Sequence, residues 1–280
     1  MLAKPLAVLA LTALAWSDSK GPLDPGATTS NTQRQYGEAV ELGRGRARTY
    51  VVADKKSGDP VEAGVALDES ALEGLPVTGD HGGNGHEHYS SFILGLPAEN
   101  GTPYRFVELN WNPNGHGGPY TAPHFDFHFY RISVAEHDAI DPAAADYAAR
   151  AAKFPAAEEM PAGYVSSHQL MNLTPAQAAV PKMGLHWLDL NSAELPPRNQ
   201  PFTATFIIGS WNGKVIFDEP MITRAFILGQ REASNGSGVI PVPAARRYVP
   251  AGFYMDGYSV TYDAAAKEYR IALTGLRRRA

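Results

Sequence analysis

The chain has 280 residues, enough for a sizeable core in one large β-rich domain or two small ones, and its 44% hydrophobic and 19% charged residues are those of an ordinary globular protein. With 24 Lys and Arg against 29 Asp and Glu, a formal charge of -5 offers no basic surface for nucleic acid. The absence of cysteine excludes disulfide staples and thiol nucleophiles, and no apolar run approaches the about 18 residues of a membrane-spanning helix.

The first residues carry one basic group, Lys4, ahead of the apolar run from Pro5 to Ala15, which closes in the small-x-small pattern Ala13-Leu14-Ala15. This predicts a secretory signal peptide over residues 1–15, cleaved after Ala15, and hence a secreted or periplasmic protein. Without a thiol to carry a lipid, the mature chain is expected to be soluble. Residues 16–39 read as a flexible spacer, because Ser, Thr, Gly, Asp, Pro and Asn dominate as far as about Gln35 and leave little to bury. A single β-rich domain is expected over 40–280.

Within it, Arg48–Ala53 and Pro60–Leu67 flank the turn-rich Lys55–Asp59 and predict a hairpin. Three histidines, His81, His86 and His88, then fall in a glycine-rich segment whose composition suits either metal capture or a solvated loop. Tyr104–Trp111 alternates like a strand, and Asn112–Pro119 after it predicts a tight loop with His116 between glycines. The stretch from Pro123 to Tyr130 has the clearest period of two: His124, Asp126, His128 and Tyr130 share one face, and Phe125, Phe127 and Phe129 the other. The aromatic face predicts a core; the carboxylate between two imidazoles predicts a metal, a water-filled cavity or a polar partner.

Two or three short helices are expected next. Ser133–Glu136 is a capping box, Asp141-Pro142 predicts the start of an alanine-rich helix to Lys153, and Thr174-Pro175 starts a shorter one. Strand patterns resume at Phe202–Gly209, Val215–Phe217 and Met221–Leu228, with Asn212-Gly213 the strongest hairpin signal in the chain. A last pair, Tyr258–Tyr262 and Tyr269–Leu273, precedes Arg277-Arg278-Arg279, which reads as a solvated tail. The fold class that follows is all-β or β-dominated α+β, a barrel-like or sandwich domain.

His116 in its Asn-Gly-His loop, the Pro123–Tyr130 strand, Met183-Gly184-Leu185-His186-Trp187 and Phe217-Asp218-Glu219-Pro220-Met221-Ile222-Thr223 together resemble the landmarks of a family of exported bacterial proteins of unknown function that includes a Thermus envelope-stress protein. The resemblance spans roughly residues 85–230. It implies a β-rich fold and export, and it brings no established reaction, so the chemistry rests on residue types and spacing.

The candidate metal ligands are His124, Asp126, His128, His186 and Glu219, with His116 as a possible loop contributor. In a strand His124 and His128 stand about 13 Å apart, so one ion can hardly hold both, whereas residues two apart can share an ion or pair as ligand and tautomer-fixing acceptor. One His of the strand with His186 and Glu219 would form a nitrogen-rich, one-carboxylate set suited to a divalent transition metal: zinc, iron, copper or manganese. The competing interpretation is a buried hydrogen-bond network of His, Asp and Tyr. Phosphate loops, nucleophile elbows and zinc-protease helices are absent, and Ser166 or Ser167 with His168 forms only a commonplace Ser-Ser-His turn. Two functional classes remain. One is a non-catalytic envelope component that binds a metal or small ligand, or serves structurally as a homo-oligomer whose partners bury open sheet edges. The other is a cupin-like mononuclear metalloenzyme, an oxidoreductase or hydrolase, although the cupin ligand pattern itself is missing around His86 and His88.

Overall fold

The computed structural model describes residues 31–77, 90–233 and 236–280. The expected signal peptide, the first part of the spacer and the His81–His88 segment therefore lie outside the described residues. In chain order the elements are β1 (Thr32–Leu42), β2 (Gly45–Asp54), β3 (Pro60–Asp68), β4 (Ser90–Gly95), β5 (Phe106–Asn112) and β6 (His124–Tyr130). Next come α1 (Val134–Asp138), α2 (Tyr147–Ala151), β7 (Tyr164–Ser166), α3 (Ser167–Leu170), α4 (Pro175–Ala178), β8 (Leu185–Asp189), β9 (Ala204–Trp211) and β10 (Lys214–Thr223). The chain closes with α5 (Arg224–Gly229), β11 (Val239–Pro241), β12 (Gly252–Tyr254), β13 (Gly257–Asp263), β14 (Glu268–Thr274) and β15 (Arg277–Arg279).

The strands form a six-stranded sheet in the order β1-β2-β3-β14-β13-β11, a seven-stranded sheet in the order β4-β5-β6-β10-β9-β8-β7, and a small β12-β15 pair. Every pairing in the two large sheets is antiparallel. One apolar core lies between them: Val51, Val65, Leu67, Val260, Ile271 and Leu273 from the first sheet meet Leu109, Trp111, Phe125, Phe127, Phe129, Phe206 and Ile208 from the second. Burying an aromatic or branched aliphatic side chain here contributes about 1.5–3 kcal/mol each, and such layers dominate the stability of a sandwich. The barrel alternative is not realised. Among the described residues each sheet ends in unpaired edges, at β1 and β11 in one and β4 and β7 in the other, and strands of three residues such as β7 and β11 are too short to extend a ladder to closure.

The outer face of the seven-stranded sheet is covered at two ends. Ile140, Tyr147, Ala151 and Ala178, from α2, α4 and the chain near α1, pack on Phe106, Tyr130 and Phe217. At the other end Tyr120 and Phe202 pack on Ile207 and Met221. A polar band carried by β5, β6 and β10 lies between these two caps.

Several local expectations are corrected. Regular structure begins at Thr32, within the stretch expected as spacer, because β1 pairs with β2 from Thr32↔Asp54 onward. Five short α-helices form among the described residues instead of two or three; α3 and α5 are only four and six residues long, lengths that tertiary packing supports and propensity alone does not. The helix expected from Pro142 starts at Tyr147, since Asp141 instead accepts a turn bond from the Ala143 N–H at 2.8 Å. Met221–Leu228 is not one strand: Thr223 Oγ1 accepts from the Phe226 N–H at 3.2 Å and caps α5, which turns the chain off the sheet. Pro220 sits inside β10, a central strand. It keeps its place in the ladder to β9, while the ladder to β6 lapses at Glu219 and Pro220. The closing arginines are not a free tail, because β15 pairs with β12, and Arg279 bonds Asp256 and lies over the Tyr248 ring. The Asn212-Gly213 turn is as expected: both residues have positive φ, 49° and 81°, between paired Trp211 and Lys214.

Candidate metal centre

The alternation of β6 turns Phe125, Phe127 and Phe129 into the core and His124, Asp126, His128 and Tyr130 toward the outer layer. The outer residues divide into two groups. His128, His186 and Glu219 offer ligand atoms that all lie within 4.8 Å of one another, and so do His116, His124 and Asp126. The candidate ligands thus fall into two groups, and His124 does not join His128, as the rise of a strand requires.

In the first group Glu219 stands opposite His128, between the register pairs Asp218↔Phe129 and Met221↔Asp126. His186 comes from β8, two strands away across β9. It pairs with Gly209, which on its other side pairs with Phe217. A Cβ on Gly209 would lie 2.0 Å from Phe217 Cε1, so the Phe217 ring occupies the place where a β9 side chain would stand. That ring sits 4.9 Å from the His128 ring and 5.4 Å from the His186 ring, as a wall beneath both. His128 Nε2 is 3.5 Å and His186 Nε2 is 3.9 Å from Glu219 Oε2. These separations are close to the about 3.4 Å that divides two ligand atoms bonded at about 2.1 Å to a tetrahedral ion. The side chains of His128 and Glu219 are 1% and 3% exposed, and that of His186 17%, so the group opens to solvent on the His186 side. Burial, reinforced by the charges of Asp126 and Glu108, pushes the Glu219 carboxyl well above its usual range. A cation at Glu219 would invert that preference and hold it ionised.

In the second group His124 Nδ1 lies 2.7 Å from the Ala122 carbonyl oxygen, which can only accept, so Nδ1 bears the hydrogen. Its Nε2 faces Asp126 Oδ1 at 3.3 Å. Asp126 Oδ2 accepts from Asn112 Nδ2 at 2.8 Å. His116 is brought over His124, ring centroids 4.7 Å apart, by a loop that folds back so that its N–H donates to the Tyr120 carbonyl at 2.9 Å. Gly115 makes this possible: its φ is +65°, and a Cβ there would lie 2.3 Å from the Tyr120 oxygen. Burial opposes a charge on His124, but Asp126 outweighs it and raises the imidazole pKa.

Sequence reasoning missed Glu108, Asn112 and His137. Glu108 pairs with His128 across β5–β6. Its Oε1 accepts from Ser91 Oγ at 2.6 Å, and its Oε2 lies 3.0 Å from His137 Nε2. Burial alone would raise the Glu108 carboxyl; the His137 bond, the charge of His128 and the Ser91 bond together bring it down to about 2. The signal was present in the alternation Phe106, Glu108, Asn110, Asn112, which places these groups on the same face as the candidate ligands. His168 Nδ1 does lie 2.8 Å from Ser166 Oγ, but no carboxylate is paired with His168 among the described residues, and its ring stacks on Phe154.

A family model described as TTHB210-like, after the hypothetical protein TTHB210, matches residues 56–111. The chain is similar to this family of unknown function over β3, β4 and β5, a stretch that includes Glu108. The motifs at His116, Pro123–Tyr130, Met183–Trp187 and Phe217–Thr223 lie outside it. No curated protein and no solved structure matches the chain.

Proposed function

We propose that the protein is an exported envelope component that binds a divalent transition-metal ion through His128, His186 and Glu219. The observation that carries this reading is Glu219 Oε2, a buried carboxylate oxygen with no hydrogen bond among the described residues, facing two imidazole nitrogens at 3.5 and 3.9 Å. A buried polar atom without a donor is unfavourable by about 1–3 kcal/mol or more, and an ion between these atoms would offset that. Two nitrogens and one carboxylate suit zinc, iron, copper or manganese. Export is supported by the apolar run ending in Ala13-Leu14-Ala15 behind Lys4.

A metalloenzyme is the second reading, favoured by the partial exposure of His186, where water or substrate could complete the coordination sphere. Azide binding to the metal-loaded protein separates the two, since a site closed to exogenous ligands has no catalytic position. The test of metal binding itself is elemental analysis of the purified protein and of His128→Ala and His186→Ala. Each variant is expected to lose one equivalent of metal with unchanged circular dichroism. A parent free of metal after growth in supplemented medium, or a His186→Ala variant that keeps its full complement, overturns the reading.

A further inference from the structure

The group at the other end of the β6 outer face carries a problem of its own. His124 is fully buried, and its Nδ1–H is committed to the Ala122 carbonyl at 2.7 Å. Its Nε2, in the neutral ring a lone-pair donor, faces Asp126 Oδ1 at 3.3 Å and makes no hydrogen bond among the described residues. A carboxylate oxygen and an imidazole lone pair held this close repel one another unless a cation lies between them. The spacing matches one edge of a tetrahedral coordination sphere with bonds of about 2.1 Å. His116 is the third donor, its ligand atom within 4.8 Å of the other two.

We propose that His116, His124 and Asp126 form a second binding site for a divalent transition metal of the zinc class, separate from that of His128, His186 and Glu219. Each of the two strand ligands has the outer partner such a site requires: the Ala122 carbonyl fixes the ring of His124, and Asn112 Nδ2 holds the far oxygen of Asp126 at 2.8 Å. The rings of Phe202 and Tyr120 wall the group, 5.4 Å from His124 and 5.6 Å from His116 respectively, and restrict water. His116 is only partly buried and sits on a loop, so it provides the route of entry. The about 13 Å between His124 and His128 along the strand keeps the two ions from being one. The folded protein then holds two ions, and the loop-borne site releases its ion to a chelator first.

The rival occupant is a proton, giving an imidazolium–carboxylate pair. Cobalt(II) titration of the full chain, followed by its visible absorption, tests the assignment on the parent, His116→Ala, His186→Ala and the double variant. The expected stoichiometries are two, one, one and none, with thermal melts verifying that the metal-free variants fold. Because His116 is a loop residue and His186 lies in the other group, the two sites fail separately. If His116→Ala still binds as many ions as the parent, the second site is overturned and the first stands; if His186→Ala does so, the reverse holds. A parent that binds no cobalt overturns both. Nitrogen-15 NMR of the zinc-saturated protein gives an independent check: a hydrogen on His124 Nε2 there establishes the proton and removes the metal.

Discussion

Glu108 and Glu219 flank His128 on neighbouring strands and are equally buried, 4% and 2% exposed, yet their surroundings drive them in opposite directions. Glu108 receives the Ser91 hydroxyl at 2.6 Å from β4 and the His137 ring at 3.0 Å from α1, and its carboxyl falls to about 2. Glu219 receives two imidazoles at separations too long for hydrogen bonds, and its carboxyl rises. Burial alone therefore does not decide which way a carboxyl shifts. What separates them is the supply of fixed donors: the Glu108 carboxylate is satisfied by hydrogen bonds, whereas Glu219 Oε2 accepts none among the described residues.

The largest effect that would break this comparison is expected from Glu108→Ala, which strands His137 and Ser91 beside His128. It should destabilise the protein by about 3–5 kcal/mol in urea denaturation while the metal content of the folded fraction persists. Loss of metal without loss of stability would reverse the roles assigned to the two carboxylates. The pH dependence carries the same sign. Because the folded-state pKa of Glu108 is depressed, its stabilisation is present above the ordinary carboxyl value near 4.5 and is lost as pH falls toward about 2.

Gly209→Ala should rank next. Its Cβ would collide with the Phe217 ring, so a destabilisation of about 1–3 kcal/mol is expected. Because Phe217 contacts both His128 and His186, metal affinity should also fall, by roughly tenfold or more in a competitive chelator titration. A variant that is less stable but binds metal as before would show that Phe217 is filler and not a support.

The smallest change in metal-free stability, with the sharpest change in binding, is expected from Glu219→Gln. A raised folded-state pKa means that Glu219 favours the folded state most below its ordinary value near 4.5, and that this contribution is lost as pH rises through the raised one. The metal-free glutamine variant should therefore equal the parent at low pH and be more stable near neutrality, while its metal site is lost. Thermal melts across pH, with and without zinc, check both halves.

Local pattern made much of this legible. The strict alternation from His124 to Tyr130 assigned one face to the core and one to polar groups, and the rise of a strand already argued that one ion can hardly hold both His124 and His128. The capping box Ser133–Glu136 and the Asn212-Gly213 turn were readable because each is a short-range contract between neighbouring residues. Elements held by packing were not: α5 replaced the end of an expected strand, Pro220 lay inside a central strand, and Arg277–Arg279 paired with β12.

By itself the sequence determined the β-dominated class, the two faces of β6 and the residue types available for a metal. Only the tertiary structure decided that the sheets remain open, that Glu219 stands opposite His128, and that a bare Gly209 lets the Phe217 ring lie beneath His186. It also decided that Asn112 bonds Asp126 and that His137 bonds Glu108. The reason is range. Side-chain alternation is written in consecutive dihedrals, whereas the order β5-β6-β10-β9-β8 brings together positions dozens of residues apart through ladder register and core packing, which no local window contains.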